Sequence, residues 1–192
     1  MKAFLLFLTA IILFCISSNE QMKYWEDFNC KQKEDMLNVC KSELIKNLYS
    51  KKFILSSDND NIHKLLKELV TSSDTILPLS FYLFNKICIK SDGALAEIVG
   101  KYCVELFVRH PRYIMTYFTK EKTSNIKKPL IKVYAMFVGS ELYFERKGTS
   151  DLKYNYQSFK EILLSASKGN KENEETFKVF WQLVDETIQN MD

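Results

Sequence analysis

The chain has 192 residues and a formal net charge of +3; 46% of it is hydrophobic and 14% aromatic, enough to fill one sizeable core and too apolar for a disordered segment. Five glycines and three prolines are too few for the turns of an all-β fold, so long helices with short connections are expected. The near balance of acidic and basic side chains excludes a general affinity for nucleic acid.

The chain opens with MKAFLLFLTAIILFCISSNEQ. Lys2 is a short positive start, Ala3–Ile16 is an apolar run of 14 residues, and small Ser17 and Ser18 precede polar sequence. This is the layout of a secretory signal peptide over residues 1–18, with a single domain over 19–192. The run is shorter than the roughly 20 residues that span a bilayer. Export to the periplasm, the cell surface or the medium is therefore expected. Two alternatives keep the N-terminus at a membrane: an uncleaved anchor, or a lipid on Cys15. The residue before Cys15 is Phe14, a poor match to the small residue that a lipid-attachment signal prefers.

Beyond the lead-in Asn19–Phe28, a first helix is expected from about Gln32 to Leu48, with Leu37, Cys40, Leu44 and Leu48 as its apolar stripe. The turn-forming run SSDNDN breaks the pattern. A second helix follows over Asn61–Thr71, with Ile62, Leu65, Leu66, Leu69 and Val70 at i, i+3, i+4, i+7 and i+8. Ser72-Ser73-Asp74 closes it and offers a cap for the third helix, Ile76–Lys90, which carries Pro78 in its first turn and is apolar on nearly every side. Asp92 is placed to cap the fourth helix, Ala94–Val108, which forms a hairpin with the third. Leu77–Phe118 as a whole is expected to be the core of the molecule.

His110-Pro111 marks a boundary, because a residue before proline avoids the α region, and a short fifth helix runs from Pro111 to Thr119. Thr119–Lys128 reads as a polar, basic loop. The sixth helix, Pro129–Arg146, is a second element of nearly all-round apolar type; its Ile131–Val138 portion also fits a buried strand, but no other strand candidate exists to pair with it. The seventh runs over Asn155–Ser167 and ends at Gly169. The eighth, Glu172–Asn190, gathers Glu172, Glu174 and Glu175 at its N-terminus, where the helix dipole favours negative charge. The expected fold is all-α: seven or eight helices, arranged as a multi-helix bundle or as a short α-solenoid-like stack of helical hairpins.

No catalytic signature is present. The two histidines, His63 and His110, have no metal-like partners at i+3 or i+4, and no CxxC or HExxH spacing occurs, so no metal or cofactor is expected. Cys103 faces inward and lies about two turns from His110, too far for a nucleophile–base pair. After loss of the N-terminal segment four cysteines remain, Cys30, Cys40, Cys88 and Cys103. Cys88 and Cys103 lie on adjacent antiparallel helices and form the candidate disulfide; buried free cysteines acting as small hydrophobes are the plainer alternative.

Charge is spread unevenly. Residues 101–132 hold eight Lys/Arg against two Glu, whereas residues 133–192 hold seven against ten acidic residues. Within the basic segment, Arg109, His110, Arg112, Tyr113 and Tyr117 interleave cations with aromatics, with Lys120, Lys122, Lys127 and Lys128 beyond them. This cluster is the candidate binding site, for an acidic partner surface, an anionic lipid or an acidic glycan; a solvated helix end with inward-packed tyrosines is the plainer reading. The function expected is that of an exported, non-catalytic helical module that binds another protein, one version being an immunity or inhibitor protein. A membrane-associated or lipid-anchored surface protein and an enzyme of unrecognised type are the alternatives.

Overall fold

A computed structural model describes residues 22–121 and 130–192. The N-terminal apolar run, Cys15, Lys122, Lys127 and Lys128 lie outside the described residues. Among the described residues nine α-helices follow a single 3-10 turn at Trp25–Asp27, and no strand occurs. The helices are α1 (Cys30–Val39), α2 (Glu43–Tyr49), α3 (Ile62–Val70), α4 (Leu77–Lys90), α5 (Gly93–Arg109), α6 (Pro111–Glu121), α7 (Leu130–Arg146), α8 (Tyr156–Ser167) and α9 (Lys171–Met191).

The expected first helix is two helices. Asn29 Oδ1 accepts from the Gln32 N–H at 2.9 Å and Gln32 Oε1 accepts from the Asn29 N–H at 3.0 Å, a reciprocal cap that starts α1 two residues early. Cys40 is extended (ψ 119°), and the Ser42 hydroxyl accepts from the Ile45 N–H at 3.0 Å, founding α2. On either side of this break Cys40 and Ile45 both lie buried in the core. Two expected caps are also absent: Ile76 precedes α4 without a side-chain bond, and Asp92 stands at the head of α5 without making one.

The five stripe residues of α3 are at most 1% exposed. Helix α4 buries ten of its fourteen residues, as expected of an element surrounded by others. Residues Leu130–Arg146 are helical throughout, so the strand reading of Ile131–Val138 does not apply. The centre of the core is aromatic. The Phe107 ring lies 5.0 Å from Phe180, 5.6 Å from Tyr134 and 6.1 Å from Phe118, and the Tyr134 hydroxyl donates to Asn85 Oδ1 at 2.7 Å. Full burial of each such ring contributes about 2–3 kcal/mol.

The packing is that of a bundle and not of a linear stack. Helix α4 packs on α7, α5 on α8 and α6 on α9, contacts three elements apart that a stack of neighbours lacks. At the α7–α9 crossing Gly139 has no room for a side chain: a Cβ there would stand 2.7 Å from Thr187 Cβ and 3.1 Å from the Val184 carbonyl oxygen. A polar seam joins α6 to α9, where the Thr119 hydroxyl is 2.8 Å from Thr176 Oγ1 and 3.0 Å from Asn173 Oδ1. Among the described residues no helix is long and apolar enough to cross a membrane.

Candidate functional site

The Arg109–Tyr117 cluster sits where α5 turns into α6, and its tyrosines are engaged inside the molecule. The lead-in returns to pack on them. The Tyr24 ring lies 4.8 Å from Tyr113 and 4.9 Å from Tyr117, and Phe81 of α4 meets both rings from below. The Tyr24 hydroxyl donates to the Tyr113 carbonyl at 3.2 Å, and the Tyr113 hydroxyl donates to the Lys23 carbonyl at 3.1 Å. Lys120 closes the clamp on Asp27 at 2.6 Å and holds that carboxyl below the usual carboxylate range through its hydrogen bond. Burial raises the three phenols far above their ordinary range, so they act as neutral hydrogen-bonding groups.

The rest of the cluster diverges. Arg109 donates from Nε and Nη2 to Glu105 Oε1 at 3.1 and 3.0 Å. His110 caps α5, its N–H reaching the Leu106 carbonyl at 2.9 Å; partial burial pushes its imidazole below the usual range, opposed by nearby Asp74. Arg112 is exposed and makes no hydrogen bond or ion pair among the described residues. The structure therefore brings Tyr113 and Tyr117 together as a clamp for the lead-in and leaves Arg112 as the outward-facing cation.

Cys88 and Cys103 face each other across α4 and α5 with sulfurs 3.8 Å apart, both buried and both free thiols. Burial pushes the Cys103 thiol up, so it stays protonated. Neither histidine is hydrogen-bonded to a Ser, Thr or Cys among the described residues; His63 Nδ1 lies 3.3 Å from the Tyr102 hydroxyl. No three His, Cys, Asp or Glu side chains among the described residues gather so as to hold a metal ion.

A cleft of about 890 Å³ opens between α5 and α7, walled on one side by the connection Thr149–Asp151. Its apolar surface comes from Ala96 and Ile98 of α5 and from Met136, Phe137 and Phe144 of α7. Met136 is 48% exposed and Phe144 42%, on a helix that otherwise buries its large side chains well. Glu141 enters this setting one turn from Phe137. Its carboxylate lies over Gly100, where an added Cβ would stand only 2.5 Å from Oε1. Burial raises the Glu141 carboxyl above its ordinary range and Asp151 adds to this, while Lys101 and the Ser150 hydroxyl act in the other direction. The Ser150–Glu141 hydrogen bond is long, at 3.5 Å, and Lys101 Nζ lies 3.9 Å from Asp151 Oδ2.

A second cleft of about 540 Å³ shares Lys101 and Asp151 with the first and runs on along α5 past Glu105 to Arg109. Apolar walls with a few convergent polar groups are the usual make-up of a recognition site. Of the first cleft's residues, the sequence drew notice to His63, as a histidine without a metal-like partner, and did not link it to the others. The signal that would have located the cleft is a helical face: Phe137, Ser140, Glu141 and Phe144 recur at i, i+3, i+4 and i+7, placing two polar residues on an apolar face.

No family model matches the chain, and no curated protein or solved structure shows significant similarity to it.

Proposed function

We propose that this protein is an exported, non-catalytic helical module that binds another protein, and that the cleft between α5 and α7 is where it does so. The observation that carries the reading is the exposure of Met136 and Phe144 at the rim of a preformed cleft. Large apolar side chains left in water beside a concave surface mark interaction sites. The length of the groove along α5 suits a helix that lays an apolar stripe against it. An immunity or inhibitor protein that occupies a toxin or enzyme outside the cytoplasm is the concrete version. Export rests on the charge and apolar pattern of residues 1–18.

The test is covalent capture in the native host, with a photo-crosslinking residue replacing Phe144 in one experiment and Arg112 in a second. One partner protein crosslinked from Phe144 and not from Arg112 supports the reading. Crosslinks from Arg112 alone would move the binding face to the α5–α6 corner.

A further inference from the structure

The inner end of the α5–α7 cleft combines two local disadvantages at one point. A glycine in the middle of a helix costs roughly 0.5–1 kcal/mol relative to alanine. Gly100 occupies the middle of α5, and the space it leaves is filled by the Glu141 carboxylate. A carboxylate taken out of water needs a partner, and Glu141 has little of one. Among the described residues its one hydrogen bond is the 3.5 Å contact from Ser150, and the nearby ammonium of Lys101 is instead 3.9 Å from Asp151. Glu97, Glu141 and Asp151 together outnumber the single full cation, Lys101, and His63 stands at the edge. Around this acidic end the walls are Ile98, Phe137, Met136 and Phe144.

We infer that the Glu141 end of the cleft is a cation pocket that receives the ammonium or guanidinium of a Lys or Arg side chain projecting from the docking helix of the partner protein. This rests on the docking reading above. An apolar-walled channel ending in a carboxylate complements such a side chain, whose methylene stem packs on the walls while its charged head reaches the acid. A charge-assisted hydrogen bond in this half-buried place also distinguishes a basic side chain from a neutral one of equal length.

The probes are n-hexylguanidinium, n-hexylammonium and neutral 1-hexanol, titrated into the mature chain while the Met136 methyl and Gly100 amide NMR signals are followed. Both cations should saturate shifts at Met136 and Gly100 and bind about fivefold or more tighter than hexanol. E141Q, isosteric and neutral, should abolish that preference, and E175Q, at an exposed position of α9 outside the cleft lining, should keep it. Equal binding of cation and alcohol to the parent, or a preference that survives E141Q, overturns the pocket. The two readings fail separately. A partner crosslinked from Phe144 whose affinity is unchanged by E141Q overturns the pocket and leaves the docking face standing. Probe binding that depends on Glu141, with partner crosslinks elsewhere, overturns the docking face.

Discussion

Glu141 has a thermodynamic signature of its own. Burial raises its folded-state pKa above the ordinary 4.5, so the folded chain holds the proton more tightly than the unfolded chain. The stability this group contributes is complete below that value and is lost as pH rises through the folded pKa. His63, Glu97, Lys101 and Asp151 face the same cleft and are common to parent and variant. E141Q is therefore expected to raise the thermal midpoint above that of the parent at pH 7, with the difference closing as pH falls below about 4.5; melting curves across pH check it. A purely structural Glu141 would give the opposite sign at pH 7. Tyr24 makes a contrasting case, because it is 2% exposed and gripped by two rings. Tyr24→Ala should cost about 3 kcal/mol or more in urea denaturation. That Tyr113 and Tyr117 pack inward is the plainer reading of the sequence, but that Tyr24 is what they grip was not legible there. Basic and aromatic residues close together in the chain resemble a binding patch, whereas the segment that covers these rings joins Tyr24 to Tyr113 across 89 positions with no periodicity to reveal it.

At the level of elements, the α7–α9 crossing depends on Gly139. A methyl there meets Thr187 and the Val184 backbone, which cannot move aside as a flexible side chain would. Overpacking of this kind costs about 1–3 kcal/mol, partly offset by the roughly 1 kcal/mol advantage of alanine in a helix. Gly139→Ala should therefore lower stability by roughly 1–2 kcal/mol, read as a shift in urea midpoint at constant slope. The Cys88–Cys103 contact between α4 and α5 carries a second expectation. We propose that Cys88 and Cys103 close into a disulfide when the chain folds in an oxidising compartment, each thiol losing a hydrogen to a disulfide-exchange donor that is itself reduced to two thiols. Refolding with oxidised glutathione should give an intact mass lower by two hydrogens, and peptide mapping should join those two cysteines. Cross-linking a loop of about this length stabilises by about 3 kcal/mol in the chain-entropy account. Mapped pairing through Cys30 or Cys40 instead would contradict this expectation. The hairpin expected of α4 and α5 does not form as a packed pair: joined by only Ser91 and Asp92, the two helices meet at Cys88 and Cys103, while α4 packs on α3 and α7 and α5 packs on α7 and α3, partners that period along one helix does not reveal. The break at Cys40 was not legible either. The stripe Leu37, Cys40, Leu44 and Leu48 continues through it at helical spacing, and only the Ser42 cap, with Glu68 of α3 bonded to the same hydroxyl, ends one helix and starts the next.

At the scale of the whole molecule, the all-helical content and the central place of Leu77–Phe118 and Leu130–Arg146 were readable from hydrophobic period and from the scarcity of glycine and proline, whereas the helix number, seven or eight expected against nine among the described residues, fell short. The choice of bundle over stack was not readable, because it depends on which elements distant in sequence meet, and period along one helix carries no such information. The candidate cleft was hidden for the same reason: Gly100 and Glu141 lie on different helices, and neither is unusual alone. We propose that this bundle presents its partner-binding face between α5 and α7 and not at the Arg109–Tyr117 corner. Titration calorimetry of the captured partner against the parent chain, Phe144→Ser and Arg112→Ser tests it most directly. Phe144→Ser should lose about tenfold or more in affinity, at least about 1.4 kcal/mol, and Arg112→Ser should stay within about twofold of the parent. Affinity retained by Phe144→Ser and lost by Arg112→Ser would contradict it.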